Sequence, residues 1–384
     1  MKHFFITNVR LITPQQVLAD HGLEIEAGKI KAVFPMKEAP LPLQQPVVDA
    51  HGAFAAPGLI DTHVHGLAGF GTEQGTPQAL LEMSNALAKT GVTAFCPTLY
   101  CAQPSTLEKF LEQMTPAFGR ETGARLLGFH LEGPFISPEK PGVMKPQDIL
   151  PVDAKVLERL YKASDGHIIS MTVAPELAHI ESLIPFCQKH HILLQAGHTN
   201  ASYENFMHGV SLGITHTTHL FNAMPPLHHR ALGAVGAVLL HPEISAEIIA
   251  DGVHVHPDLV VGLRRFKPVE NIVLVTDALR PTLQNNPPFI ANAEEVKWQD
   301  GAWVRQADGV LAGSGLTMLE GVKNLISWGY TLPQAIACAS THPARILGLE
   351  QKGSLSVGKD ADIILLDDAL QLQRVFLAHR SVVE

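Results

Sequence analysis

Two hydrophobic rhythms divide the chain. Residues 1 to about 53 carry short alternating patterns, Phe4-Ile6, Val9-Leu11, Leu23-Ile25, Ile30-Ala32-Phe34 and Val47-Val48, set apart by turns such as Glu26-Ala27-Gly28-Lys29. Alternation of this kind predicts small antiparallel strands. The C-terminal stretch repeats the style in Gly353-Ser354-Leu355, Gly358 to Asp362 and Ile363-Ile364-Leu365-Leu366-Asp367. Neither end has enough strands for a sheet with a buried face. Residues 1–53 and 351–384 are therefore expected to combine in one small β domain.

From Ala56 the period changes to strand, loop, helix, repeatedly. Eight apolar runs stand out: 57–63, 92–99, 125–132, 168–174, 192–198, 214–219, 246–251 and 272–277. Helical patterns lie between most of them. The clearest runs from Pro77 to Lys89, with proline in its first turn, Leu80, Met83 and Leu87 on one face, and Gly91 as a stop. Leu157-Leu160-Tyr161 and Leu183-Ile184-Cys187 repeat the scheme. Eight strand–helix units predict an α/β chain whose residues 54–350 form a (β/α)8 barrel. A doubly wound open sheet is the rival, but it would carry a glycine-rich phosphate loop after its first strand. Here that strand ends in Asp61-Thr62-His63-Val64-His65.

At 384 residues, 46% hydrophobic and 17% charged, the composition is that of a globular protein with a large core. The formal charge of -9 argues against a nucleic-acid surface. Cys96, Cys101, Cys187 and Cys338 are scattered, with no C-x-x-C pair, which fits a reducing cytoplasm. The opening MKHFFITNVRLITPQQ has its apolar patch broken by Asn8 and Arg10, unlike a signal peptide. No apolar run approaches the ~20 residues of a membrane span. Histidine is the unusual entry in the composition, with 21 copies. It is the commonest metal ligand, and the excess points towards a metal site without locating it.

The strand ends supply the location, because in a barrel they share one face. His63 and His65 are two apart on a strand, so both point the same way. Glu132 ends the apolar Phe129-His130-Leu131 and must be paired, coordinated or protonated there. His198 and His219 each close an apolar run beside small or hydroxyl residues. With Glu132 they make a His2Glu set, the ligand count of a catalytic zinc-type site. Asp277 ends the eighth run, where a carboxylate can move a proton to and from water. Each has a plainer reading: satisfied core histidines, a Glu132 salt bridge to lysine or arginine, an Asp277 helix cap. The loops Asn222 to Arg230 and Asp251 to His254 lie at the same face, where Arg and His could hold an anion such as phosphate.

These residues resemble a known family. H-V-H after P-G-L-I-D-T, H-L-E-G-P-F, A-G-H-T-N-A, T-H-L-F-N-A-M-P, A-D-G-V-H-V and V-T-D-A together resemble the amidohydrolase superfamily, and within it the N-acetylglucosamine-6-phosphate deacetylases. The resemblance runs nearly end to end, through L-A-G-S-G-L-T-M-L-E-G and the final G-S-L-S-V-G-K-D-A-D. Most other amidohydrolases place a carboxylated lysine on strand four; Met171 to Glu176 has none, and Glu132 would take its place.

The resemblance implies a TIM-like barrel of the amidohydrolase type with a small β-sandwich built from both termini. It implies a divalent metal, zinc, iron or similar, held by Glu132, His198 and His219, with Asp277 as catalytic acid/base. Some members carry Gln and Asn at the first-strand histidines and use one ion; His63 and His65 allow a second here. The phosphorylated N-acetylhexosamine would contact Val143, Asn222, Ala223, Arg230, His254 and the Leu311-Ala312-Gly313 loop. Family members are commonly homodimers whose phosphate-site Arg and His come from the neighbouring subunit. The chain departs from the pattern at Gly142-Val143-Met144, where a polar stretch is frequent, and at Arg280, where small residues and proline are usual. Its L-H-H-R and H-V-H-P loops also resemble the N-acetylgalactosamine-6-phosphate deacetylases. A catalytically silent sugar-phosphate-binding protein is the reading from another class. Such a protein would have no need of every ligand together with Asp277.

Overall fold

Each of the eight apolar runs contains a parallel strand. The computed structural model describes residues 3–39 and 45–383, so expectations for residues 1, 2, 40–44 and 384 lie outside the described residues. The barrel strands are β1 (Leu59–Val64), β2 (Val92–Leu99), β3 (Phe129–Glu132), β4 (Ile168–Val173), β5 (Leu193–Ala196), β6 (His216–Thr217), β7 (Ser245–Ile249) and β8 (Ile272–Val275). Each pairs in parallel with the next. The cylinder closes where Val64 bridges Ala278, with the Asp277 N–H donating to the His63 carbonyl at 2.9 Å. A helix follows every strand, from Pro77–Ala88 after β1 to Met318–Ser327 after β8. The Thr76 hydroxyl caps the first of these by accepting from Ala79 N–H, and Leu80, Met83 and Leu87 face inward as the periodicity predicts.

The third run is interrupted. Arg125–Leu126 pairs with β2, and Gly128 separates it from β3. A Cβ at Gly128 would lie 2.5 Å from the Ile169 side chain and 2.8 Å from the His167 carbonyl, so only glycine lets β3 pack this closely on β4.

Both chain ends meet in one eight-stranded sheet. Its order is Arg380–Val383, Leu372–Leu377, Ile363–Leu366, Phe54–Pro57, His3–Ile12, Val17–Glu26 and Lys29–Pro35, with Val47–Asp49 also on His3–Ile12. The sheet curls into a small sandwich: Phe4 stacks on Phe376, 5.6 Å between ring centres, although their strands are not neighbours. Strand period two explains the unbroken apolar run at Ile363–Leu366. Ile363 and Leu365 face the sandwich core, while Ile364 and Leu366 face the barrel core. The end domain is thereby clamped to the barrel.

One element was not expected from the sequence. After β8 comes an antiparallel sheet of Ile290–Ala291, Glu294–Gln299, Ala302–Arg305 and Leu311–Ser314, whose last strand bridges Ala278 through Ser314. It carries Leu311-Ala312-Gly313 to the rim of the barrel.

Candidate metal centre

Four imidazoles surround one carboxylate at the mouth of the barrel. Glu132 Oε1 lies 3.0 Å from His219 Nε2, 3.1 Å from His198 Nε2 and 3.4 Å from His63 Nε2. Its other oxygen lies 3.2 Å from His65 Nε2. Asp277 Oδ1 sits across the first-strand pair, 3.6 Å from His63 Nε2 and 3.4 Å from His65 Nε2. All six residues are buried. No lysine or arginine pairs with Glu132 among the described residues. Asp277 caps no helix, because the helix after β8 is capped by Thr317.

The backbone aims these groups. His63 belongs to β1 and His65 follows one residue after its end, so period two turns both inward. His198, His219 and Asp277 each lie two residues beyond the last residue of their strand, at φ 45°, 23° and 50°. Left-handed backbone is uncommon for such residues and costs on the order of 1–3 kcal/mol each. Here it bends the chain off the strand and turns the side chain over the barrel axis.

The donors fall into two groups, His63, His65 and Asp277, and Glu132, His198 and His219, the ligand atoms of each within 4.8 Å of one another. His198 Nδ1 is 3.0 Å from the Lys140 carbonyl, which fixes the proton on that nitrogen. A neutral His198 then turns its Nε2 lone pair towards an oxygen that also carries lone pairs. Protonated rings are one remedy. Burial resists a proton on His63, but Glu132, Glu247 and Asp277 raise its pKa well above the usual value. Burial would raise the Glu132 carboxyl, yet His63, His198 and His219 hold it well below the ordinary range. Several buried imidazolium ions are expensive, however, and a cation between the rings relieves the same conflict. Imidazole nitrogen with carboxylate oxygen is the donor chemistry of zinc and iron sites. The residues fit such an ion.

Above the donors opens a cavity of about 260 Å³. Val143, Asn222, Ala223, His254, Leu311, Ala312 and Gly313 all line it, as do His65, Glu132, His198, His219 and Asp277. His254 is held by Asp251, Nδ1 to Oδ2 at 2.6 Å; burial opposes its charge but that carboxylate raises its pKa. Arg230 is not brought there. It is exposed, with its guanidinium 2.8 Å from His229 Nε2. Sequence reasoning missed Tyr100, which stacks on His65 with ring centres 3.8 Å apart; Met144, singled out in the sequence only as a departure from the family pattern, lines the cavity as well. Sequence reasoning also missed Glu247, buried behind His63; a glutamate within an apolar strand run was the available signal.

With this geometry in place, likeness to known proteins decides the family. The Amidohydrolase family profile matches residues 54–383. The chain belongs to the amidohydrolase family. This amidohydrolase is 33% identical over 371 residues to N-acetylgalactosamine-6-phosphate deacetylase of Escherichia coli O157:H7, covering 96% of each chain. It is 35% identical over 329 residues to N-acetylglucosamine-6-phosphate deacetylase of Vibrio furnissii, covering 85% of this chain and 82% of that one. Its fold matches, at a TM-score of 0.91 and 27% identity over 100% of both chains, a variant of the Mycobacterium smegmatis N-acetyl-D-glucosamine-6-phosphate deacetylase in complex with N-acetyl-D-glucosamine-6-phosphate. No helix among the described residues is long and apolar enough to cross a membrane.

Beside Tyr100 the amidohydrolase buries a further carboxyl, Glu73, neither of whose oxygens has a hydrogen-bond partner among the described residues. Burial pushes its pKa up to about 7, against weaker lowering by His65 and Arg280. The raised value favours the folded state below the ordinary glutamate pKa, and that advantage is lost as pH rises through about 7. The shift corresponds to roughly 3–3.5 kcal/mol. We expect Glu73→Gln to raise stability in urea by about that amount near pH 8.5 and by much less near pH 5. An equal change at both pH values would mean that the charge on Glu73 is not what burial penalises.

Proposed function

We propose that the chain hydrolyses the acetamide of N-acetylglucosamine 6-phosphate, giving glucosamine 6-phosphate and acetate. The observation that carries the reading is the pair of donor groups beneath one cavity, one holding Glu132 and the other Asp277, with Glu132 reaching His63 and His65 across them. It is supported by the deacetylase relatives over most of the chain's length. Glu132, His198 and His219 would hold the principal divalent ion, zinc or iron, and His63, His65 and Asp277 a second. Four buried cysteines without disulfides suit the cytoplasm.

The ion, when bound, supplies Lewis-acid chemistry, polarising the acetamide carbonyl and making a water easier to deprotonate. The chain's own groups do the rest. Burial would raise the Asp277 carboxyl, but His65 and His63 lower its pKa, so it is ionised at neutral pH and ready to accept a proton. Asp277 takes the proton of the attacking water and passes it to the amine nitrogen as the carbon–nitrogen bond breaks. Asn222 with Ala223, and Leu311 to Gly313, line the cavity and would orient the sugar. Val143 and Met144 close the site with apolar surface and exclude water. His254, held beside Asp251 with its pKa raised by that carboxylate, serves the anionic end of the substrate. Arg230 is exposed and does not line its own cavity, and it would serve the phosphate of a neighbouring subunit in a homodimer.

A deacetylation assay on both 6-phosphosugar epimers tests the reading. We expect the higher kcat/KM on the gluco epimer; the reverse would assign the chain to the galacto substrate. For Asp277→Asn we expect a folded protein that keeps the ion on Glu132, His198 and His219 while turnover drops at least ~100-fold. Near-normal turnover would remove Asp277 from proton transfer. Arg230→Ala should lose a charge-assisted contact of roughly 1.5–3 kcal/mol on the phosphorylated sugar, with little change on the unphosphorylated one. Equal losses on both would give Arg230 a structural role.

A further inference from the structure

We propose that Glu247 is a positioning residue that ties the two donor groups together through one carboxylate oxygen. The proposal rests on the reading of the centre as metal-binding given above. Glu247 is the third residue of β7 and is fully buried. Its Oε2 lies 3.3 Å from His63 Nδ1 and accepts the His219 backbone N–H at 3.3 Å. One oxygen thus contacts a histidine from each group. The other oxygen accepts the Thr62 hydroxyl at 3.4 Å and faces His216 Nε2 at 3.6 Å, so neither lacks a partner.

Two consequences follow from these contacts. A carboxylate cannot donate when ionised, so the proton between it and His63 sits on Nδ1 of the ring. That leaves the Nε2 lone pair facing Glu132 and Asp277, where an ion would lie. The negative charge also makes the ring a stronger donor than a carbonyl would. His198 receives the weaker version of the same help from the Lys140 carbonyl. At His219 the effect is on the backbone. Its φ of 23° is strained, and a charge-assisted bond to the N–H holds it in that state. A carboxylate serving only the core would need His216 and Thr62, and neither ligand residue.

Zinc alone, titrated against a competing chelator, tests the idea with proton–nitrogen NMR of the histidine rings in zinc-free protein. In the wild type we expect His63 to carry a proton on Nδ1, whether or not Nε2 is also protonated. Glu247→Gln should let the other tautomer appear and weaken the ion at His63, His65 and Asp277 at least ~10-fold. The ion on Glu132, His198 and His219 should weaken less. In a His63→Gln background, Glu247→Gln should add less than about a twofold loss of zinc affinity, the expectation when one residue acts through the other. A wild-type His63 with no proton on Nδ1 overturns the proposal without any variant, as does unchanged zinc affinity in Glu247→Gln. Wild-type protein that binds no zinc at all would overturn the metal reading itself.

Discussion

A single buried carboxylate sets the terms for this fold. Glu132 ends a buried strand at the floor of the cavity, and no lysine or arginine pairs with it among the described residues. An ionised group in that place must be matched by nearby positive charge or by donors. The chain meets the need with imidazoles drawn from β1 and from the loops after β5 and β6. Those segments are far apart in sequence, so the match exists only when the barrel is closed. Closure depends in turn on the Asp277 N–H reaching the His63 carbonyl, a bond between two candidate ligands. The electrostatics of the centre and the integrity of the barrel are one constraint.

The remainder of the structure holds that arrangement in place. The curled end sheet packs one face of Ile363–Leu366 against its own core and the other against the barrel. Inside the barrel a layer of hydroxyl and amide groups supports the centre from below. His130 bonds Ser170 and Thr172, Thr172 bonds Thr218, and Thr218 reaches Gln195. Burial drives the His130 pKa down to about 3, so this ring stays neutral and plays no part in balancing the Glu132 charge. The strained backbone at His198, His219 and Asp277 is tolerated because the neighbouring strands leave it no alternative.

Much of this was legible in the chain. Period two gave the direction of His63 and His65, and eight apolar runs gave eight strands, because buried parallel strands are marked by continuous hydrophobicity. The end domain was legible as a style shared by two distant segments. The ends of the strands were less clear: run 214–219 yields a strand of only His216–Thr217, since the chain must leave the ladder to turn His219 inward. The inserted sheet at 290–314 was not foreseen, because its short strands carry exposed charge and one exposed tryptophan, Trp298, with little alternation. Glu247 was missed for a different reason. Its role depends on which histidines face it, and that is a property of the closed barrel.

The central claim is that the imidazoles and carboxylates are gathered to hold a cation. Anomalous X-ray scattering at the zinc edge, from crystals of the wild-type chain grown with zinc, tests it most directly. The account expects a peak within bonding distance, about 2.0–2.2 Å, of Glu132 Oε1 and of Nε2 on His198 and His219. A difference map with no such peak, and with the rings still at their present spacing, would contradict it.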